Sequence, residues 1–218
     1  MLSRKDMVSG HFYEEHANTL PAGMVWDKKS IYQSLVDTLA QREPNQPVWV
    51  FAYGSLMWNP LITIEEMRKG ILKGWQRRFN LKLISGRASQ QHPGRMLSLD
   101  HGGETQGMAF RLADDDQLVD ELKVIWTREM ITGLYLPRWE SVKLTSGETI
   151  QAIVFVSNVA HPDHVPDESP ESASSVIALA EGSIGTNTDY VMQLYSTLQS
   201  WCIEDPYIQD VVQCLNHS

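Results

Sequence analysis

Cysteine is nearly missing from this chain: Cys202 and Cys214 are two thiols in 218 residues. Two are too few for a disulfide scaffold, and their spacing is not that of metal ligands, so both read as reduced thiols set by packing. Positive charge is also scarce. The 18 Lys and Arg are outnumbered by 27 Asp and Glu, giving a net charge of -9, and this excludes the clustered basic surface that a nucleic-acid binder needs to release counterions. No apolar run approaches the ~20 residues that span a bilayer. Arg4, Lys5 and Asp6 are not followed by the apolar stretch of a signal peptide, so the expectation is a protein that stays in the cytoplasm, away from membranes. Internal repeats and low-complexity tracts are absent too.

What is present is a chain long enough to bury a core, with 42% hydrophobic residues and seven Trp. The pattern predicts an N-terminal arm and helix over residues 1–45 ahead of a single domain over 46–218. Residues 1 to about 28 lack sustained periodicity and read as a peripheral lead-in. Ser30 to Gln41 has Ile31, Leu35, Val36 and Leu39 on one face of a helix that ends before Pro44. Strand-like runs follow at 48–53, 79–85, 95–100, 106–112, 134–144 and 149–157, with His101-Gly102-Gly103 and Ser146-Gly147 as turns short enough for hairpins. A helix over 114–126 interrupts them. After the Pro-rich loop 160–170, Ser169 and Pro170 read as N-cap and first residue of a helix, and two more helices are expected from about Thr188 and Pro206. Strands with helices inserted once and gathered at the end predict an α+β fold, not alternating β-α-β units.

Within this frame the most informative segment is Val48-Trp-Val-Phe-Ala-Tyr-Gly-Ser-Leu-Met-Trp58, an apolar strand ending abruptly in Tyr53-Gly54-Ser55-Leu56. Glycine lets the chain turn sharply there and brings backbone close to a ligand, and the next amides leave the strand end unpaired, so an anion or a carbonyl oxygen fits. Read alone, the tetrapeptide fits an ordinary Gly-Ser turn equally well.

The run resembles the signature of the ChaC-type glutathione-specific gamma-glutamylcyclotransferase family, which reads close to V-F-G-Y-G-S-L-x-W. Downstream the resemblance continues in order through Gly74-Trp75-Gln76-Arg77-Arg78-Phe79, His92-Pro93-Gly94-Arg95, Gly107-Met108-Ala109-Phe110-Arg111-Leu112, Arg128-Glu129-Met130-Ile131-Thr132-Gly133 and Gly185-Thr186-Asn187-Thr188-Asp189-Tyr190. It spans about residues 47–200. One departure is Ala52, where the family has glycine, and a slightly narrower pocket is the expectation. The resemblance implies a small mixed-stranded β-barrel of the gamma-glutamylcyclotransferase-like fold with flanking helices. It also implies cleavage of glutathione to 5-oxo-L-proline and L-cysteinylglycine, with no cofactor.

In that reaction the substrate brings its own nucleophile, the glutamyl α-amine. Holding reacting atoms in near-attack geometry is worth effective molarities of about 10⁵–10⁸ M. The protein must fold the peptide, move a proton and hold an oxyanion. Glu129 matches the family's catalytic glutamate, and its apolar neighbours Trp126, Met130 and Ile131 are suited to raising its pKa. Without the resemblance, a solvated glutamate paired with Arg128 is the plainer reading. Val50, Phe51, Ala52, Tyr53, Gly54, Ser55 and Leu56 are the candidate substrate-binding segment, joined by Arg95 and Tyr190. Ser55 as a nucleophile is disfavoured, since no Gly-x-Ser-x-Gly elbow surrounds it. Tyr53 fits either core packing or a hydroxyl aimed at substrate, and each of Arg77, Arg78, Arg95 and Arg111 fits a structural ion pair better than a carboxylate clamp. His161 and His164 have ligand-like spacing but no third partner nearby, so no metal is expected. Glutathione is the expected small-molecule substrate, and oligomeric state is not encoded in any pattern here. Two alternatives stay open: a cyclotransferase for other gamma-glutamyl amino acids or amines, with loop 85–92 setting selectivity, and a non-enzymatic regulatory binding protein.

Overall fold

The computed structural model describes residues 2–217. Five strands close into a barrel in the order β1-β3-β2-β4-β5: β1 Trp49–Ala52, β2 Glu66–Leu83, β3 Gly94–Arg111, β4 Tyr135–Leu144 and β5 Thr149–Ser157. All neighbours are antiparallel except β1 and β5, which run parallel through Val50 and Ile153. The barrel is therefore mixed, as the resemblance implies. Its centre is filled by large apolar side chains that have left water almost entirely, among them Phe51, Phe79, Leu81, Leu99, Phe110 and Phe155. Each such side chain contributes about 1.5–3 kcal/mol.

The predicted turn at His101-Gly102-Gly103 is not a turn. β3 runs straight through it, with Trp75 opposite His101 and Lys73 opposite Glu104, and the register slips by a bulge at that point. Gly102 and Gly103 take φ of +124° and +54°, conformations open to glycine that bend the strand and let the sheet curl shut. Ser146-Gly147, in contrast, does join β4 to β5.

The helices are α1 Arg4–Val8, α2 His11–Thr19, α3 Lys28–Leu39, α4 Leu118–Glu129, α5 Pro170–Ile177, α6 Asn187–Ser200 and α7 Pro206–Asn216. A two-residue pair of strands, β6 Glu181–Gly182 and β7 Gly185–Thr186, leads into α6. The helices of the first 20 residues were not visible as periodicity. They are held by local chemistry, a Ser3–Asp6 capping box on α1, and by a tertiary bond from Arg4 to Glu121 of α4 at 2.7 Å. α4 presents Leu118, Leu122, Ile125 and Trp126 to the core, where the Trp126 ring meets Phe155 edge-on at 5.0 Å. This packing fixes the direction in which the last turn of α4 points. Among the described residues no helix is long and apolar enough to cross a membrane.

Candidate active site

β1 ends at Ala52, and Ser55–Met57 form one turn of 3₁₀ helix, whose first amides have no carbonyl within the turn to reach. The turn is anchored from beneath by Arg77, which is 1% exposed. Its Nε donates to the Tyr53 carbonyl at 2.7 Å, Nη2 to the Gln106 carbonyl at 2.6 Å, and Nη1 to Asp205 Oδ2 at 2.9 Å. Asp205 in turn caps α7 by accepting from the Ile208 amide. Arg77 is thus a structural residue, as an ion pair predicts, but one tied directly to the strand exit.

Glu129 is the last residue of α4. Its carboxyl reaches a narrow cavity of about 20 Å³ bounded by Phe51, Tyr53, Gly54, Ser55 and Leu56 from the β1 exit, Leu97 from β3, Tyr135 and Phe155 from β4 and β5, and Tyr190 from α6. The side chain keeps 14% of its surface exposed. Burial pushes the Glu129 carboxyl above the ordinary carboxylate range, and the Arg128 guanidinium opposes this in part. Burial also lifts the phenols around it, Tyr190 to about 12 and Tyr53 and Tyr135 well above 10. They are neutral donors at physiological pH. Two of those donors are already engaged, Tyr53 with the Phe155 carbonyl at 2.6 Å and Tyr135 with the Leu97 carbonyl at 2.7 Å. The Tyr190 hydroxyl pairs instead with the Ser55 side chain and lies against Gly54, where an added Cβ would stand 3.2 Å away, and its ring packs on Trp58 at 5.5 Å.

A titratable carboxyl, a hydroxyl and free-ended amides around one small, mostly apolar space are what proton transfer beside a developing oxyanion requires. The chain also has a larger cavity, about 280 Å³, between α6 and α7, lined by Tyr195, Cys202, Glu204 and Asp205 among others. It offers no base set against oxyanion donors, so chemistry and not volume selects the smaller one. Phe51, Tyr53, Gly54, Ser55, Leu56, Glu129 and Tyr190 come together there. Val50, Ala52 and Arg95 do not line it. Strand alternation turns Val50 and Ala52 away from the side that Phe51 and Tyr53 face, so the extra methyl of Ala52 does not narrow the cavity. Arg95 has its amide held by Asn187 Oδ1 at 2.8 Å, and its guanidinium faces Asp167 and Tyr207. Leu97, Phe155 and Tyr135 were not picked out as site residues; Tyr135 alone had a signal, lying in the Gly133-Leu134-Tyr135 strand entry after Glu129. His161 and His164 turn to Asp163 and Asp100, and among the described residues no three His, Cys, Asp or Glu groups converge as a metal site would need.

Comparison with known proteins gives a consistent result. The model of the ChaC-like protein family matches residues 48–218. The glutathione-specific gamma-glutamylcyclotransferase of Escherichia coli (strain K12) is 42% identical over 189 residues, covering 87% of this chain and 81% of that one. The glutathione-specific gamma-glutamylcyclotransferase 1 of Danio rerio is 29% identical over 77% of this chain and 88% of its own. Among solved structures, a gamma-glutamyl cyclotransferase specific to glutathione from yeast superposes with a TM-score of 0.70, covering 79% of this chain and 97% of that one at 19% identity. That likeness establishes a shared fold.

Proposed function

This chain belongs to the ChaC-like protein family and is a gamma-glutamylcyclotransferase; we propose that its cavity folds glutathione back on itself so that the peptide is cut by its own amine. Glu129 takes a proton from the glutamyl α-ammonium, whose reference pKa near 8 leaves it largely protonated at neutral pH. The freed amine attacks the γ-amide carbonyl carbon, closing a five-membered ring. Negative charge develops on the carbonyl oxygen and is held by the Ser55 hydroxyl and the amides of the turn after Tyr53. As the oxyanion collapses, Glu129 returns the first proton to the departing cysteinyl nitrogen and then takes the second proton from the ring nitrogen, which passes on to the released amine. The carbon–nitrogen bond breaks, and 5-oxo-L-proline and L-cysteinylglycine leave.

The observation that carries this reading is that Glu129 and Tyr53–Leu56, over seventy residues apart in sequence, border one cavity. Burial raises the Glu129 pKa, which favours a carboxyl able both to accept and to return a proton. A cavity of about 20 Å³ holds little more than one water. A glutamyl unit therefore enters as lining side chains such as Tyr190 and Leu56 part. The cytoplasm, where the two thiols stay reduced, is the compartment that suits both protein and substrate.

The test is 5-oxoproline release from glutathione by the parent and by Glu129→Gln. The variant should retain the fold and lose at least about 10²-fold in kcat, the low end of what a positioned acid–base group contributes. Release at the parental rate would refute the assignment of Glu129. Running γ-glutamyl-alanine alongside glutathione separates a glutathione enzyme from a broader cyclotransferase, the former releasing 5-oxoproline from glutathione alone.

A further inference from the structure

Arg128 precedes Glu129 and enters above only as the charge beside that carboxyl, yet its guanidinium also reaches the turn after β1. It sits on the last turn of α4 with 12% of its side chain exposed. Nη2 donates to Ser55 Oγ at 2.5 Å and Nη1 to the Asn59 carbonyl at 2.6 Å, while Nε stands 3.3 Å from Glu129 Oε1. Ser55 and Asn59 are the two ends of the turn after β1, closed on itself by the Asn59 amide donating to the Ser55 carbonyl at 3.0 Å. One planar fork therefore holds both ends of the oxyanion-side turn and the neighbouring carboxyl.

We infer that Arg128 is the positioning residue of this reaction: it fixes the distance between the Ser55 hydroxyl and the Glu129 carboxyl, and it dictates which way the Ser55 hydroxyl points. The inference rests on the catalytic reading given above. Its second part follows from hydrogen-bond valence. Arginine has donors only, so Ser55 Oγ must accept from Arg128. With a lone pair occupied on that side, the hydroxyl hydrogen is turned toward the cavity, where Tyr190 stands and where substrate oxygen would lie. A serine that is free to rotate would offer that hydrogen only part of the time. Lysine carries the same charge but as a compact ammonium that cannot span two acceptors as a rigid fork does.

Charge gives the role a second readout. The ionisable groups facing Glu129 are Arg128 from α4, Tyr53 from β1, Tyr135 from β4 and Tyr190 from α6. The three phenols are neutral, which leaves Arg128 as the cation that restrains the upward pull of burial on Glu129. Removing that charge raises the Glu129 pKa further, and the acid limb of kcat/KM moves to higher pH.

The experiment compares Arg128→Gln, Arg128→Lys, Ser55→Ala and Glu129→Gln, each first shown to keep the parental circular dichroism, for 5-oxoproline release from glutathione across pH. Arg128→Gln should lose about 10²-fold in kcat, the order expected when reacting groups shift by about 1 Å, with the acid limb displaced upward. Arg128→Lys should lose kcat by about tenfold or more while its acid limb stays near the parental position, because charge is kept and the fork is not. Ser55→Ala in the Arg128→Lys background should cost far less than in the parent, since both changes disable one arrangement. Parental kcat and acid limb in Arg128→Gln, beside an inactive Glu129→Gln, would overturn this inference and leave the catalytic reading intact. An active Glu129→Gln removes both. Should Arg128→Gln fail to fold, Arg128→Lys decides alone, and parental kcat there overturns the proposal.

Discussion

Replacing Arg77 by methionine keeps a flexible, unbranched apolar stem and deletes the charge and all of the donors. The guanidinium is 1% exposed and its ion-pair partner Asp205 is 12% exposed. Removing one member of such a pair typically costs 3–5 kcal/mol, because the other is left as an uncompensated buried charge. Asp205 keeps its hydrogen bond from the Ile208 amide and some access to water, which places the ion-pair loss at the lower end, about 3 kcal/mol. The carbonyls of Tyr53 and Gln106 also lose a donor, and an unsatisfied buried acceptor costs about 1–3 kcal/mol. Since these losses overlap, the whole is expected at about 3–5 kcal/mol, a large share of the 5–15 kcal/mol that holds a domain together. Urea unfolding followed by tryptophan fluorescence should show Cm falling by roughly 1–2.5 M at an unchanged slope of about 2–3 kcal/mol/M. Adding Asp205→Asn to Arg77→Met should then recover about 1 kcal/mol, since it neutralises the stranded carboxylate. A single variant whose Cm stays within about 0.3 M of the parent would refute the argument that Arg77 is the keystone beneath the strand exit.

Three further expectations are independent of that one. Glu129 has its pKa raised by burial and lowered in part by Arg128. Its ionised form therefore opposes folding, and stability is lost as pH rises through the raised value; Glu129→Gln should be more thermally stable than the parent at pH 7–8 and indistinguishable from it in acid, as differential scanning calorimetry would record. Burial raises the Glu121 carboxyl, but hydrogen bonds from Arg4 and Thr63 outweigh it and leave the group below its ordinary value. That stabilisation is present at neutral pH and lost as pH falls, so Glu121→Gln should cost up to about 1 kcal/mol at pH 7, with the difference vanishing near pH 3. At Gly107 an added Cβ would stand 2.5 Å from the Ala52 carbonyl and 2.8 Å from the Phe51 ring; Gly107→Ala must push β1 away from β3, costing about 1–3 kcal/mol by chemical denaturation and lowering 5-oxoproline release with it.

How much of this was legible beforehand depended on the physics of each element. β1, β4 and β5 carry buried, β-branched and aromatic residues in short runs, and α4 to α7 carry an apolar stripe with caps such as Ser169 and Asp205, so local signals and tertiary structure agree. The first half of β2 hid itself. Met67, Arg68, Lys73 and Gly74 are exposed in adjacent pairs, and a strand whose alternation is broken in this way and by a glycine bulge leaves little hydrophobic signature. β3 was divided in two at Gly102 because glycine pairs mark turns far more often than bulges. Glu129, Ser55 and Tyr190, which line one cavity, were singled out through the motif. Arg95 lies outside that cavity and faces Asp167, a placement set by its register on β3 that no local sequence pattern shows. Leu97 and Phe155 are ordinary core residues by type, and only barrel closure makes them walls of the cavity.

The parallel seam between β1 and β5 also governs how the protein is born. Val50 leaves the ribosome about a hundred residues before its neighbour Ile153 exists, and at 5–20 residues per second that interval is roughly 5–20 s. Throughout it Trp49–Ala52, apolar on both sides and destined for burial on both, has no finished sheet to join. The strand that leads into the candidate site is thus exposed to mispairing in the nascent chain. Synonymous changes that slow translation between the codons for β1 and β5 should lower soluble yield without altering a single residue of the product.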